Sequence, residues 1–237
     1  MEALALARHA VEDRRLTVLS SLAGRTQAPR QLPGQTRVGG FGGIAGLTVF
    51  LQEQAIDLVV DATHPFAARV SQHAAVACAA AGVPRLALLR PPWSPQAGDN
   101  WITVADGEQA AASLEDLGRR VFLSVGRQDL APYGRLTDHW FLLRMIDRPD
   151  ETPALPNYEI VIGRGPFEED EELALLEAHR IEALVSKNSG GGATYAKIAA
   201  ARRLGLPVVM IDRPPPPPGD PVASVPEAVA WLEQRLA

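Results

Sequence analysis

Short apolar segments alternate with helix-forming segments along almost the whole chain, and this alternation restricts the possible folds more than any other feature. The apolar segments are rich in Val, Leu and Ile, whereas the segments between them are rich in Ala, Leu, Glu and Arg. This order is typical of α/β proteins, in which helices cover a mainly parallel sheet. Strands are predicted at Leu16–Ser20, Leu58–Asp61, Arg85–Leu89, Ile102–Val104, Val121–Val125, Trp140–Met145, Glu159–Ile162, Ala183–Ser186 and Pro207–Ile211. Helices are predicted approximately at Glu2–Glu12, Ile44–Glu53, Phe66–Ala81, Gly107–Leu117, Glu169–His179, Ala193–Leu204 and Pro226–Leu236.

The same arrangement of elements occurs twice, which bears on the number of domains. The 237 residues lie between one and two domains of ordinary size. The first series of elements ends near Leu117, and the second starts near Arg119. We therefore predict two α/β domains, residues 1–117 and 118–237, with a cleft between them, because interfaces between domains commonly bind ligands. A single large sheet is the alternative.

Composition excludes several classes of protein. The net charge of -5 argues against general nucleic-acid binding. The sequence has no apolar run of about 18 residues, which a membrane span needs, and it does not open with a basic segment followed by an apolar one, so we expect no export. Cys78 is the single cysteine, and the five histidines show no metal-binding spacing. We therefore expect a cytoplasmic protein without a metal site, a monomer or weak homodimer that binds neither nucleic acid nor a membrane.

The predicted strand that begins at Leu16 ends in a polar segment containing Ser20, Ser21 and Arg25. In dinucleotide-binding domains the second strand ends at the adenosine ribose, where an acidic residue binds the 2′-hydroxyl of NAD and an arginine accommodates the 2′-phosphate of NADP. This segment has no acidic residue, so it favours NADP. The alternative is an ordinary Ser/Gly turn with a solvated arginine.

A cluster of glycines at residues 39–43 surrounds Phe41 and precedes a predicted helix. Gly39 and Gly40 allow the backbone to approach a ligand closely, and amides at a helix start favour an anion. The order does not match the dinucleotide fingerprint, so a tight structural turn is an equal alternative.

The segment Thr63-His64-Pro65-Phe66 follows the predicted strand that ends at Asp61. We predict Thr63 as the N-cap of the next helix, with Pro65 in its first turn. Ligands bind at the carboxyl ends of parallel strands, so His64 is a candidate to donate to a phosphate or to relay a proton. The alternative is that His64 only caps the helix or packs.

A richer segment of the same kind follows the predicted strand Ala183–Ser186. Lys187, Asn188 and Ser189 supply hydrogen-bond donors, and the next three residues are glycines that expose amides. This composition favours an anion-binding cradle, although it lacks the order of a P-loop. The glycines of this segment begin at Gly190, after the three polar residues. Thr194 and Tyr195 follow the glycines and lead into a predicted helix. Lys197, one turn later, is predicted to be a solvated helix residue.

Two further strand ends place an arginine beside a glycine. Gly126 and Arg127 follow the predicted strand Val121–Val125, and Arg164 follows the strand that ends at Ile162. Because the protein is acidic overall, local basic groups of this kind would be needed to hold a polyanionic ligand. Taken singly, the position of each arginine favours an ordinary surface residue.

Together these segments resemble the precorrin-6A reductase family of cobalamin biosynthesis, which includes the cobalt-precorrin-6A reductases. The segments that carry the resemblance are SSLAGR (20–25), RVGGFGG (37–43), DATHPFA (61–67), GVPRLALLRPPW (82–93), VFLSVGRQ (121–128), RGPF (164–167) and SKNSGGGATYAK (186–197). The resemblance covers nearly the whole chain. It implies two Rossmann-like domains and an enzyme that uses NADPH to reduce one double bond of the precorrin-6A macrocycle, giving precorrin-6B.

The resemblance also implies roles for the residues above. The cofactor would be held by Ser20, Ser21, Arg25, Gly39, Gly40, Phe41, Thr63, His64, Pro65 and Phe66. The carboxylates of the tetrapyrrole, or alternatively the cofactor phosphates, would be held by Gly126, Arg127, Arg164, Lys187, Asn188, Ser189, Gly190 and Thr194. The proton donor would be His64, Lys187, Tyr195 or water, and the sequence does not choose among them. The alternatives are a non-catalytic tetrapyrrole or nucleotide carrier or sensor, and a sugar-phosphate or nucleotide transferase.

The start of the chain differs from the ordinary pattern of a parallel α/β domain. Such a domain begins with a buried strand and a glycine-rich turn, whereas this sequence begins within a predicted helix. Met1-Glu2-Ala3 is similar only to the end of the turn with which the family opens. We therefore expect the working protein to carry about ten further residues before Met1, which supply the missing strand and phosphate-binding turn, and the start of this sequence to be truncated or misassigned.

Overall fold

The computed structural model describes residues 1–24, 31–216 and 218–236. The chain forms two compact units, one made of Met1–Pro91 with Pro214–Ala237 and the other of Pro92–Arg213. Each unit contains parallel strands and helices, which confirms the predicted α/β class.

The division between the units differs from the boundary predicted near Gly118. Strand β5 (Asn100–Val104) belongs to the second unit because it pairs in parallel with β10 (Pro207–Ile211). Helix α7 (Val225–Leu236) belongs to the first unit because it packs against α1 (Glu2–Ala10). The first unit is therefore discontinuous in sequence, which the order of the elements along the chain does not reveal.

The second unit is built on a six-stranded sheet in which every pair of neighbours is parallel. Its strand order is β5-β10-β9-β6-β7-β8. The strands not yet defined are β6 (Arg120–Ser124), β7 (Trp140–Met145), β8 (Tyr158–Ile162) and β9 (Ala183–Lys187). Phe122, Leu142 and Leu184 are fully buried in this sheet. Near-continuous apolar strands are expected where helices cover both faces of a parallel sheet.

Three helices cover this sheet, namely α4 (Gly107–Ser113), α5 (Glu169–Ala178) and α6 (Ala196–Arg203). Asp106 caps α4 by accepting a hydrogen bond of 2.9 Å from the Gln109 amide. The Gln109 side chain accepts one of 3.1 Å from the Ala105 amide, so two amides at the helix start are satisfied. Short 3-10 turns occupy Leu114–Asp116, Arg127–Asp129 and Ala131–Arg135.

Strands β6 and β9 lie side by side at the centre of the sheet, and their onward connections diverge. β6 continues to β7 on one side, whereas β9 continues to β10 on the other. A reversal of this kind opens a crevice outside the carboxyl ends of the two strands, which is where ligands bind in open α/β sheets. The topology therefore makes the residues that follow Ser124 and Lys187 a candidate ligand site.

The first unit contains two separate parallel pairs. β1 (Leu19–Leu22) pairs with β2 (Gln35–Val38), and β3 (Val59–Asp61) pairs with β4 (Arg85–Ala87). The sequence did not predict β2, because its residues Gln-Thr-Arg-Val form no apolar run.

Helices α2 (Gly43–Glu53) and α3 (Ala68–Ala81) pack against each other in this unit. Leu51, Ala77 and Cys78 form their buried contact, so Cys78 serves as a small buried hydrophobic residue. A second cluster joins Leu6, Leu86 and Leu232 of α1, β4 and α7 with the residues around them. Within the described residues, no helix is long and apolar enough to cross a membrane.

The entry into α2 depends on one close approach. A Cβ atom at Gly46 would overlap the carbonyl oxygen of Phe41, so no larger residue fits without moving the glycine-rich turn. We predict that Gly46→Ala lowers the free energy of unfolding by about 1–3 kcal/mol. Without this clash the change would stabilise the helix by up to about 1 kcal/mol, so the sign of the effect is diagnostic.

Urea unfolding of the wild type and of Gly46→Ala measures this difference in the free energy of unfolding. Gly40→Ala is the matched control, because a Cβ at Gly40 meets nothing within 4 Å, and we expect it to change the free energy of unfolding by less than about 0.5 kcal/mol. Equal stability of the two variants would show that the Phe41 carbonyl does not constrain α2.

Candidate functional site

The carboxyl end of β3 in the first unit is organised by the buried carboxylate of Asp61. Asp61 is 7% exposed, and its Oδ2 accepts a hydrogen bond of 3.0 Å from Arg85 Nη1. Its Oδ1 accepts from the Thr63 hydroxyl at 2.8 Å and from the Thr63 amide at 3.2 Å. The Thr63 hydroxyl also lies 2.7 Å from that of Ser71. Asp61 therefore fixes the turn that follows the strand, a role the sequence did not assign to it.

The prediction that Thr63 caps the next helix is wrong. α3 begins at Ala68 and its N-cap is Ala67, without a side-chain cap. The Thr63 hydroxyl is engaged by Asp61 instead, and His64 with Pro65 and Phe66 form a turn before the helix.

His64 lies on this turn and is exposed. Its Nδ1 accepts a hydrogen bond of 3.3 Å from the Phe66 amide, and the two rings are 5.9 Å apart. A neutral ring in this arrangement carries its proton on Nε2, so that atom is the donor. The turn can thus present an imidazole N–H at the end of a parallel strand.

The ends of β1 and β2 bring together a serine, an arginine and the glycine-rich turn. Ser21 is opposite Arg37 in the parallel register, and Ser20 precedes it on β1. The Arg37 guanidinium donates to the carbonyls of Gly39 at 2.7 Å and Gly40 at 2.6 Å.

The same guanidinium lies 3.9 Å from the ring centroid of Phe41 and 3.5 Å from Ser21 Oγ. It is therefore held in a fixed position where β1 and β2 end. Arg37 was missed because the strand that carries it was not predicted. Arg25 lies outside the described residues.

At the centre of the second unit, Lys187 ends β9 and meets the turn after β6. Its Nζ lies 2.7 Å from Oδ2 of Asp129, and the side chains are 18% and 41% exposed. Gly126 makes this pair possible, because a Cβ there would lie only 2.9 Å from the same oxygen. The sequence identified Gly126, Arg127 and Lys187 but not Asp129, whose only signal is its place in the turn after β6.

The segment after β9, residues 188–195, is called the glycine loop below. Asn188 was predicted to bind ligand, but its side chain is engaged inside the protein. Its Oδ1 accepts from the Trp93 amide at 2.8 Å, and its Nδ2 donates to the Trp93 carbonyl at 3.1 Å. A carboxamide matches both groups of a backbone segment, so Asn188 fixes Trp93, and its role in holding a ligand stays a prediction.

Backbone carbonyls at the start of the glycine loop are held by Arg213. Arg213 donates from Nε to the Asn188 carbonyl at 2.7 Å and from Nη2 to the Ser189 carbonyl at 2.9 Å. Gly190 and Gly191 follow in the left-handed conformation, with φ of 66° and 72°. The start of the loop is thus a fixed, tightly turned backbone rather than a run of donor side chains.

The turn after β8 packs against the end of the glycine loop. The Phe167 amide donates to the Ala193 carbonyl at 3.2 Å, and a Cβ at Gly165 would lie 2.5 Å from the same oxygen. Arg164, in this turn, lies 4.0 Å from Asp147, whereas Arg127 is exposed on the turn after β6. The turns after three parallel strands therefore carry basic residues along the same edge of the sheet.

Tyr195, predicted as a possible proton donor, is tied into a polar network. Its hydroxyl accepts a hydrogen bond of 2.6 Å from Arg202, which also donates to Asp99 at 2.8 Å. Its ring lies 5.7 Å from that of Trp93. These contacts hold the start of α6 against the segment that precedes β5.

Lys197 was predicted to be solvated, and this is wrong. It is 4% exposed, because α6 packs against both α5 and the sheet and buries six of its eight residues. Its Nζ donates to the Thr194 carbonyl at 2.9 Å and lies 5.2 Å from the Trp93 ring. Burial lowers the pKa of Lys197 to about 7, with Arg144 acting in the same direction and Glu172 opposing it.

The two units thus offer different chemistry. The first presents hydroxyl, guanidinium and imidazole groups around turns at strand ends, which suits a phosphorylated ligand. The second presents an ammonium paired with a carboxylate beside a glycine loop, which suits a polyanion and can supply a proton. Among the residues that the structure describes, no three His, Cys, Asp or Glu side chains are placed to hold a metal ion.

Comparisons with known proteins agree with this chemistry. The family model for "Precorrin-6x reductase CbiJ/CobK" matches residues 1–233. A precorrin-6A reductase of Rhodococcus erythropolis is 47% identical over 98% of this chain and 93% of its own length. A cobalt-precorrin-6A reductase of Priestia megaterium is 31% identical over 71% of this chain and 69% of its own. A solved structure titled "CobK precorrin-6A reductase" superposes with a TM-score of 0.93 at 43% identity, covering 99% of this chain and 93% of that one.

The buried Lys197 predicts a specific pH dependence of stability. Its pKa is about 7 in the folded protein and near the ordinary 10.5 when unfolded, so between these values the unfolded chain binds more protons. Stability must therefore rise with pH across this window, with a slope of at most about 1.4 kcal/mol per pH unit from this group. Below pH about 7 both states are charged and the burial penalty is fully present.

Lys197→Met should remove this contribution. We expect the variant to be more stable than the wild type at pH about 6.5 and this advantage to be smaller at pH about 9, since only the wild type gains stability as its lysine discharges. Denaturant unfolding at both pH values measures the difference. A difference between the two proteins that does not change with pH would contradict the assigned burial.

Proposed function

Because the chain belongs to the precorrin-6x reductase family, we propose that it reduces one double bond of precorrin-6A with NADPH, giving precorrin-6B. The observation that carries the proposal is the Lys187–Asp129 pair beside the glycine loop, at the point of the sheet where ligands bind. A polycarboxylate substrate requires cationic groups and amides at that point, which an acidic protein must supply locally.

The family consists of nicotinamide-dependent reductases, and the first unit fits such a cofactor. The end of β1 carries Ser20 and Ser21 with no acidic residue, and Arg37 is fixed opposite Ser21. An acidic residue there would favour NADH, whereas hydroxyl and guanidinium groups favour the extra phosphate of NADPH. The residues proposed to hold it are Ser20, Ser21, Arg25, Arg37, Gly39, Gly40, Phe41, Thr63, His64, Pro65 and Phe66.

The second unit is proposed to hold the carboxylates of the tetrapyrrole. The residues that supply cations, amides or hydroxyls for this are Gly126, Arg127, Arg164, Lys187, Ser189, Gly190 and Thr194. Asn188 contributes by shaping the glycine loop, because its side chain is bonded to Trp93.

The reduction needs a hydride and a proton on adjacent carbons. When bound, NADPH supplies the hydride. We assign the proton to Nζ of Lys187, which ends a central strand and is held in place by Asp129. Proton transfer from the ammonium to the neighbouring carbon leaves a neutral amine, which water reprotonates. Tyr195 is less suited, because its hydroxyl belongs to the Arg202–Asp99 network that holds the start of α6 against the segment before β5.

We further propose the cobalt-free macrocycle as substrate. The relative named as a precorrin-6A reductase is 47% identical over 98% of this chain, whereas the one named as a cobalt-precorrin-6A reductase is 31% identical over 71%. The difference in both measures supports the cobalt-free form.

Mixing the protein with NADPH and precorrin-6A and recording the nicotinamide absorbance tests the proposed function. We expect NADPH to be consumed in proportion to the precorrin-6A added, with a product two hydrogens heavier. A non-catalytic carrier or sensor would bind the macrocycle without loss of NADPH, and that result would refute the proposal.

The assigned proton donor makes a prediction that separates activity from stability. Lys187→Met should lower kcat by about 10²-fold or more, the usual contribution of a general acid. The Lys187–Asp129 pair is partly exposed, so its loss should change the free energy of unfolding by less than about 1 kcal/mol. Arg135→Met is the matched control, because it removes an exposed ion pair with Glu108 in the same unit. Unchanged kcat in Lys187→Met would exclude Lys187 from the reaction.

The assigned cofactor makes a prediction about nucleotide preference. Arg25→Ala should weaken binding of NADPH by about 1.5–3 kcal/mol, the contribution of a charged hydrogen bond, and should leave NADH nearly unaffected. Titration of each nucleotide followed by calorimetry measures both affinities. Arg15→Ala, which removes a surface arginine paired with Asp13, is the control. Equal weakening of both nucleotides would contradict a role at the 2′-phosphate.

A further inference from the structure

Three carbonyl groups of the glycine loop are turned towards donors inside the second unit. The Gly191 carbonyl accepts from the Trp93 indole at 2.8 Å, and the Ala193 carbonyl accepts from the Phe167 amide at 3.2 Å. The Thr194 carbonyl accepts from Lys197 Nζ at 2.9 Å. Each anchor comes from a different part of the chain, so the orientation of these peptide groups is determined from outside the loop.

The direction of the carbonyls determines the direction of the amides. In a trans peptide group the N–H of the next residue points opposite to the carbonyl. The N–H groups of Gly192 and Thr194 are therefore directed away from the Trp93 and Phe167 anchors. The Tyr195 N–H, which follows the Thr194 carbonyl, donates to the Gly192 carbonyl at 3.2 Å and so closes the turn. Lys197 thereby acts on the last peptide group of the loop and, through it, on the closure of the turn.

The presence of a lysine at position 197 is not explained by a contribution to the stability of the second unit. Glu172, the acidic group that faces it from α5, already pairs with Arg144 of β7 at 2.6 Å, and both side chains are largely buried. This pair is neutral without Lys197. A charged ammonium added beside it is stripped of water with no carboxylate of its own, which is unfavourable. A methionine would occupy the same space without this penalty.

We propose that Lys197 is a positioning residue that holds the glycine loop in the conformation that binds a carboxylate of the substrate. This inference rests on the proposed function and extends it to a buried residue outside the ligand-contacting set. Lys197 acts through its hydrogen bond to the Thr194 carbonyl. Burial of its ammonium group lowers the stability of the unit, but this group is needed to hold the loop in place. A purely structural residue would instead raise the stability of the unit.

The test compares Lys197→Met with the wild type and with Arg203→Met, which removes an exposed cation from the same helix. We expect Lys197→Met to unfold at the same or a higher temperature near neutral pH. We also expect its KM for precorrin-6A to rise about 10-fold, as loss of one good hydrogen-bonded contact would give. Its kcat and its KM for NADPH should change by less than about threefold, and Arg203→Met should match the wild type in all of these.

Amide hydrogen exchange gives a second readout that does not need turnover. We expect residues 188–195 to exchange faster in Lys197→Met, with the rest of the second unit unchanged. Unchanged exchange and KM would overturn the proposal. It would also be overturned by a loss of thermal stability with a rise in both KM values, which indicates a structural residue, or by a rise in the KM for NADPH alone.

The two proposals fail in different ways. If the wild type does not consume NADPH with precorrin-6A, the proposed function fails, while the exchange comparison still decides whether Lys197 anchors the loop. If the wild type is active and Lys197→Met is identical to it in KM and exchange, only the positioning role fails.

Discussion

The parallel pairing of β6 with β9 is the interaction on which the candidate site in the second unit depends. Val121 is in register with Ala183 and Ser124 with Ser186, so the two strands end at the same level. The residues that follow them, Asp129 in one turn and Lys187 at the other strand end, come within 2.7 Å. Because the connections leave in opposite directions, the space between them stays open to a ligand.

The surroundings of this strand pair explain why the glycine loop keeps one shape. A loop with three consecutive glycines has a large conformational entropy, which must be offset if it is to bind a ligand tightly. Here the offset comes from partners outside the loop. The Trp93 amide donates to the Asn188 side chain, and the Trp93 indole donates to the Gly191 carbonyl. Lys197 donates to the Thr194 carbonyl. The loop is therefore ordered before a ligand arrives.

Much of the fold could be predicted from the sequence, because apolar runs report burial directly. β7 and β10 begin and end at the predicted residues, and all nine predicted strands are present within a few residues. β2 escaped prediction because its residues are polar and it is held by pairing with β1. The division into units was also not predicted, because it depends on the pairing of β5 with β10, which is distant in sequence.

The candidate site could be predicted only in part. Lys187, Gly126 and the glycines after Ser189 were recognised because glycine and charge at a strand end are local signals. The roles of Asp129, Arg37 and Arg213 depend on contacts between distant segments, which no local pattern reveals. Asn188 and Lys197 are the opposite case, because their sequence positions suggested contact with a ligand or solvent but the fold engages both side chains in its interior. A polar residue looks available in the sequence, but its partner in the fold determines whether it faces a ligand or the interior.

The central claim is that this chain transfers a hydride from a nicotinamide cofactor to the macrocycle and adds a proton beside it. The most direct test is mass spectrometry of the product formed from precorrin-6A and NADPH that carries deuterium at the transferable position, in ordinary water. We expect each product molecule to gain one deuterium from the cofactor and one hydrogen from the solvent. Recovery of precorrin-6A without deuterium, under conditions in which both ligands bind, would contradict it.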